Sequence, residues 1–254
     1  MIYQHLTSST LTKLDRMNTL VVIPIAAVEQ HGPHMPTGTD TILCSAIAEA
    51  LEKELATQLL LTPTIWLGAS AHHLRIGSTL NTALNTYVAT LCDVARSLLD
   101  DGFKRVLFLN GHGGNTDPMK MAVRELQPLY LDALLAAGCY WSVAESEREA
   151  ILEGEHKFVG HACEFETSLM LHIRPDLVET DELANAGELI PDTNHGFYLS
   201  RDMFQRTANG YTGRPDLASA EKGKLLFDAI VKGLVNLAGS LLNTPLGTRY
   251  ADFT

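Results

Sequence analysis

Three short clusters in this chain carry side chains that can bind divalent cations or move protons. The first, EQHGPHMPTGTD at residues 29–40, sets Glu29, His31, His34 and Asp40 close together with Gly and Pro between them. The second, NGHGGN at 110–115, holds His112 among glycines, which let a backbone come close to a metal or ligand. The third, GHACEFETSLML at 160–171, contains His161, Glu164 and Glu166. Carboxylate and imidazole groups suit zinc, manganese and iron(II), and such a set needs no cysteine.

Each cluster has a plainer reading. Asp40 alone is as well explained as a helix cap, because a carboxylate is favoured at a helix start. NGHGGN alone is a tight strand-to-helix turn with an incidental His; as a phosphate cradle it matches neither GxGxxG nor GxxxxGK[ST]. Glu29 and His31, two apart, face opposite ways in an extended loop, so a turn at Gly32-Pro33 must help them converge. Glu164 and Glu166 stand about 200° apart around a helix, so only one faces a given site. The coincidence of the three clusters, two of them at strand ends, carries the weight. Of the other histidines, His34 is expected in a supporting or loop role, and His72 and His73 are placed to line a pocket. His5, His156 and His172 are expected at the surface or in packing, and His195, beside Gly196, in a turn rather than a lid.

The elements that position these groups follow from pattern. Thr19–Val28 is a β-branched, apolar run, consistent with a strand buried on both faces. Helical composition begins at Asp40 with TILCSAIAEALEKELA, and Gln58–Ile65 reads as a second strand. After the loop GASAHHLRIGSTLN comes a helix through YVATLCDVARSLLDDG, ended by Asp101-Gly102. RVLFLN is the clearest buried strand, followed by NGHGGN and a helix with Pro118 early in it. Residues from about 176 to 215 are polar and turn-rich and read as an insertion or an edge, with turn signals at PDTNHG and TGRPD. The chain closes on a long amphipathic helix from LASAEKG. Alternating strands and helices predict an α/β fold with a mainly parallel sheet, whose ligands bind beyond the carboxyl ends of the strands.

Composition narrows the function classes. The 254 residues are 46% hydrophobic and 19% charged, ordinary for a protein with a core, and the expectation is a single domain over 1–254. A formal net charge of -11 with no basic run disfavours nucleic acid and anionic membrane faces. The first twenty residues lack the apolar core of a signal peptide, and no window reaches about 18 unbroken apolar residues, so no membrane span is expected. Cys44, Cys92, Cys139 and Cys163 are scattered without a CxxC pair and read as reduced thiols of a cytoplasmic protein.

In order, EQHGPHMPTGTD, HHLRIGSTL, NGHGGN, GHACEFETS and GRPDLASAEKG resemble the motifs of the creatininase, or creatinine amidohydrolase, family, from about residue 20 to residue 225. The resemblance implies a three-layer α/β/α fold around a mainly parallel central sheet, a two-metal site and a homohexamer. Carried over residue by residue, Glu29 and His112 would hold one metal, His31 the other, and Asp40 both. Glu166 matches the family's acidic residue near this site, and His161 matches the histidine assigned to general acid/base work. Creatininase proper has Tyr and then a Glu ligand directly after the NGH histidine; here stand Gly113 and Gly114, which makes Glu166 the natural replacement. Its Trp shortly before the catalytic histidine is also missing, and EHKFVG offers Phe158 instead.

The implied activity is metal-dependent hydrolysis of a non-peptide amide C–N bond in a small molecule, cyclic amides such as creatinine among them. Two divalent ions, zinc and/or manganese with iron also admitted, would activate water, and His161 and Glu166 would act beside them. Formamide hydrolysis of a formylaminopyrimidine in flavin or deazaflavin biosynthesis, and trimming of a modified precursor peptide, are the alternatives within the same motifs. A non-catalytic binding protein that uses the Gly-rich loop for a phosphorylated ligand is the rival from another class.

Overall fold

The computed structural model describes residues 1–155, 157–187 and 193–253. Its centre is a sheet of four parallel strands: β1 Leu20–Ile25, β2 Leu59–Leu61, β3 Arg105–Asn110 and β4 Leu134–Cys139, in the order β2-β1-β3-β4. The described helices are α1 Ser8–Leu11, α2 Thr39–Glu54, α3 Leu84–Asp100, α4 Thr116–Leu126, α5 Glu145–Ile151, α6 Glu164–Ile173, α7 Met203–Arg206 and α8 Ala220–Asn243. Strand alternation splits the core into two layers. Leu20, Val22, Leu107 and Leu109 face one side and pack against α2, α6 and α8 through Leu43, Ile47, Leu169 and Ile230. Val21, Ile23, Val106 and Phe108 face the other and pack against α3 and α4 through Leu91, Ala95 and Ala122. A strand covered on both faces has no polar side to show, which is why β1 and β3 read as unbroken apolar runs.

The expected strand at Gln58–Ile65 shortens to Leu59–Leu61, and Pro63 is the reason, since it has no N–H to give the ladder. The chain rejoins β1 beyond it, where Ile65 N–H donates to the Pro24 carbonyl and Ala26 N–H donates to Ile65 O, both at 2.9 Å. Pro24 sits inside the central strand for the same reason. The even-numbered residues of β1 bond toward β2, and β2 has already ended where the Pro24 nitrogen points. The sequence reading missed β4 and α5, because LLAAGC has little of the β-branched content that marks a strand.

Residues 176–215 do more than form an edge. They contain α7 and the hairpin of β5 Thr193–Asn194 and β6 Phe197–Tyr198, with His195 in its turn at φ 49° as expected. Of the turn signal PDTNHG, residues 191 and 192 fall outside the described residues, as does His156. Among the described helices, α8 alone has the length and hydropathy to cross a membrane. It nevertheless buries Leu226, Ile230, Leu234 and Ala238 along one stripe in the core and carries Lys222, Lys224, Asp228 and Lys232 between them.

Gly223 in α8 lies so close to α6 that a Cβ there would come within 1.9 Å of the Ser168 carbonyl oxygen; a Cβ at Gly239 meets nothing within 4 Å. Gly223→Ala is expected to lower the unfolding free energy by about 1–3 kcal/mol. Gly239→Ala should raise it by up to about 1 kcal/mol through helix propensity. Urea denaturation of the two variants checks this, and equal effects would contradict the close α6–α8 contact that carries Glu166.

Candidate metal centre

The three clusters converge at the carboxyl ends of the strands, where a parallel sheet leaves its ligand crevice. From β1 the chain passes through Ala26–Val28 to Glu29. It then reverses at a turn in which Gly32 has φ 66°, and His31 bridges to Met35, so the expected turn is present. Asp40 enters in the first turn of α2. β3 delivers His112, and Asn110 clamps that loop: its Oδ1 accepts the His112 N–H at 3.0 Å, and its Nδ2 donates to His112 O at 2.6 Å. Asn115 ties neighbouring loops together, accepting from Ala69 N–H and donating to Ala26 O, each at 3.0 Å. Glu166 projects from the first turn of α6, where its Oε2 accepts the Ala162 N–H at 2.6 Å.

His31 and His112 are each fixed by one nitrogen and offer the other. His31 donates from Nδ1 to Glu29 O at 3.0 Å and presents Nε2 to Asp40 Oδ1 at 3.1 Å. His112 turns Nε2 to Ser70 Oγ and Ala69 O, and its Nδ1 lies 3.2 Å from Glu29 Oε1 and 3.0 Å from Asp40 Oδ2. This division of roles is the usual support of metal-binding histidines. Donor atoms group within 4.8 Å of one another as Glu29–His72–His112, as His31–Asp40–Glu166 and as Glu29–His31–His161. Asp40 therefore directs one oxygen toward His31 and the other toward His112. Glu29 Oε2 is buried without a hydrogen-bond donor, and Asp40 Oδ2 makes no well-formed hydrogen bond and has only the His112 Nδ1 ion pair at 3.0 Å. Unsatisfied carboxylate oxygens facing imidazole nitrogens are the donor set of a divalent-cation site, and the residues fit one.

Glu164, the other carboxylate of the pair, turns away. It accepts from Glu153 N–H and Gly154 N–H and pairs with Lys222 Nζ at 2.6 Å. The helical spacing was right that only one of the two could face the site. His34 is buried and supportive, with Nε2 3.1 Å from both Ala162 O and Thr167 Oγ1. His73, foreseen only as a pocket residue, is held much deeper: its Nε2 lies 3.2 Å from Glu29 Oε1 and its Nδ1 2.9 Å from Gln30 Nε2. His5 is exposed, and His172 packs against Phe227 with ring centroids 5.7 Å apart.

His161 sits between the rings of His31 and His73, with centroids 4.5 and 4.4 Å away. Its tautomer follows from the partners of Gln30. The carbonyl Gln30 O, 2.8 Å from His161 Nε2, can only accept and takes the Nε2 hydrogen, while the Gln30 amide nitrogen, 3.1 Å from the same Nε2, directs its two hydrogens to Gly210 O and His73 Nδ1. His161 Nδ1 is then bare and faces Glu29 Oε1 at 3.7 Å.

Charge at the centre is set by burial and by pairing. Burial opposes the charge on His31, but Asp40 beside it wins and raises its pKa to about 9. His112 is pushed well above its ordinary range, Glu29 and Asp40 overcoming the same burial. Burial also works against Glu29 and Asp40, yet the cationic imidazoles pull both below the usual carboxylate range. Glu166 is raised to about 7, chiefly by burial. Burial and the neighbouring His31 hold His161 down to about 3, so it rests neutral.

The centre opens into a cavity of about 850 Å³, whose outer walls include Leu84, Trp141, Tyr198, Met203 and Arg206. Phe158, the aromatic residue of the segment that lacks the family's Trp, is not among them and is 43% exposed. The aromatic wall comes from Trp141, in the turn after β4. Sequence reasoning missed it because that strand itself was not seen.

The family model described as creatinine amidohydrolase matches residues 4–238. A mycofactocin precursor peptide peptidase of Mycobacterium ulcerans (strain Agy99) is 31% identical, covering 91% of this chain and 89% of the relative. A creatinine amidohydrolase of Pseudomonas putida is 27% identical over 85% of this chain and 87% of its own. A solved structure described as "Creatininase Mn" superposes with a TM-score of 0.79 at 23% identity, over 96% of this chain and 99% of that one, and shares the fold. With the motifs in order, the parallel sheet beneath them and a family match over nearly the whole length, the chain belongs to the creatininase family and is a hydrolase-family protein of that fold.

Proposed function

We propose that the protein is an amide hydrolase working with two divalent cations, zinc and/or manganese with iron also admitted, and that its substrate is an extended, peptide-like amide. The observation that carries the metal reading is the buried convergence of Glu29, Asp40 and Glu166 on His31 and His112. Glu29 and His112 would hold one cation, His31 and Glu166 the other, and Asp40 would contribute to both positions. Bound there, the cations supply Lewis acidity, polarising an amide carbonyl and bringing the pKa of water toward neutrality. Three carboxylates at the bottom of the cavity repel a phosphate, which counts against the phosphorylated-ligand alternative.

An amide nitrogen leaves only when protonated, so the chain must carry a proton from the attacking water to the departing nitrogen. His161 is suited to this. Its Nε2–H is committed to Gln30 O, and its Nδ1 is the free base facing the carboxylate cluster. Gln30 and His73 hold the ring in that tautomer and orientation. Glu166 shares the work by holding the Ala162 N–H next to His161 and thus fixing the loop that bears it.

Two observations favour an extended substrate over a small ring. A cavity of about 850 Å³ lies in the ~300–1,000 Å³ range of sites that take drug-sized ligands, far more than one five-membered ring fills. The relative at 31% identity is a peptidase. Creatinine is the second reading, favoured by the family description and the Pseudomonas putida relative.

His161→Ala is expected to retain its metal while kcat falls by about 10²–10⁴-fold; wild-type turnover would remove His161 from the mechanism. Against a panel of short peptides, creatinine and a formylaminopyrimidine, the metal-loaded protein should show its highest kcat/KM on a peptide. A preference for creatinine would overturn the extended-substrate reading and leave the hydrolase in place. A protonated imidazole cannot bind a metal, so cations must displace the protons that Asp40 and Glu29 hold on His31 and His112. Apparent metal affinity should therefore rise from neutral pH through about 9, the pKa of His31, and level off only once His112, also raised well above its ordinary range, has lost its proton. Calorimetry in buffers of different ionisation enthalpy should record proton release on binding; no release would contradict the charge state described above.

A further inference from the structure

We propose that His72 is an additional metal ligand, which completes the Glu29–His112 position in the space that Gly114 leaves open. This assignment rests on the two-cation reading above. His72 belongs to the 3₁₀ turn Ala71–His73 after β2 and opens the segment HHLRIGSTL, but no role was carried over to it above. One of its ring nitrogens lies within 4.8 Å of the donor atoms of both Glu29 and His112, and its ring is stacked on that of His112 with centroids 5.8 Å apart and planes 18° apart.

The glycine links the two ends of this observation. A Cβ at Gly114 would come within 2.3 Å of Ala69 O, 2.5 Å of His112 Nε2 and 2.8 Å of His72 Cε1. No side chain at 114 can therefore coexist with His72 and His112 where they stand. The position at which creatininase proper supplies a carboxylate is closed here, and the loop after β2 fills the space with an imidazole. Among the described residues, no hydrogen bond occupies either His72 nitrogen, whereas His31, His73, His112 and His161 are each held by at least one.

The consequence is an asymmetric pair. One position has two imidazoles, from His112 and His72, with the carboxylates of Glu29 and Asp40; the other has His31 with the carboxylates of Asp40 and Glu166. Imidazole suits zinc and carboxylate suits manganese, so the His72 side is the zinc-preferring one.

Zinc titration of the metal-stripped, full-length protein against a chromophoric chelator tests this directly. The wild type should bind two equivalents. His72→Phe, which keeps the ring volume and removes the nitrogens, should weaken one equivalent by about a hundredfold, at the upper end of what a lost supporting partner causes. The other equivalent should be unchanged, and His72→Ala should behave alike. Two equivalents bound by both variants as tightly as by the wild type would overturn the assignment while leaving the two-cation reading intact; no zinc bound by the wild type would overturn both. Should either variant fail to fold, the cobalt-loaded wild type decides by itself. Three hyperfine-shifted imidazole N–H resonances support His72 as a ligand, and two overturn it.

Discussion

The structure depends on three carboxylates being held together out of water. Glu29, Asp40 and Glu166 are 1%, 2% and 6% exposed, and each ionised carboxylate loses several kcal/mol of hydration on such burial. Neighbouring charge has to offset that loss. Without a metal, the offset comes from protons that His31 and His112 retain well above their ordinary range. With cations, the same nitrogens become ligands. The unfavourable burial and the unusual histidine charge are two consequences of one arrangement, suited to divalent ions rather than to protons.

A site of this kind requires rigid placement, and the fold supplies it through strand ends. β1 and β3 are neighbours in the sheet, so the loops that follow them emerge side by side. Asn110 then stiffens the His112 loop from within, and Asn115 pins neighbouring loops to one another, each with paired side-chain hydrogen bonds. The remaining candidate ligands come from the first turns of α2 and α6, where the helix macrodipole favours a carboxylate. Asp40 is thus both things at once: a residue well placed at a helix start, and one whose two oxygens face different imidazoles.

Much of this was legible beforehand. The runs LVVIPI and RVLFLN announce buried parallel strands, and the motifs after them announce the carboxylates and imidazoles that converge, because both properties are written in short contiguous stretches. The helical offset between Glu164 and Glu166 foresaw that one would face the site, though only the family resemblance chose Glu166. What stayed hidden depends on groups far apart in sequence. β4 lacks β-branched residues, so Trp141 in the turn that follows it could not be placed at the cavity. His73 gave no sign of its contact with Glu29, since nothing in AHH distinguishes a buried imidazole from a pocket-lining one. The role of residues 198–206 as a cavity wall, rather than an edge, also arises only when α7 and the end of the hairpin come to line the cavity.

The most direct test of the account is the metal content of the protein purified without chelator and dialysed against metal-free buffer, measured by elemental mass spectrometry against protein concentration. The account predicts close to two equivalents of zinc, manganese or iron per chain. A protein that retains none, and takes up none when either zinc or manganese is offered, would contradict it.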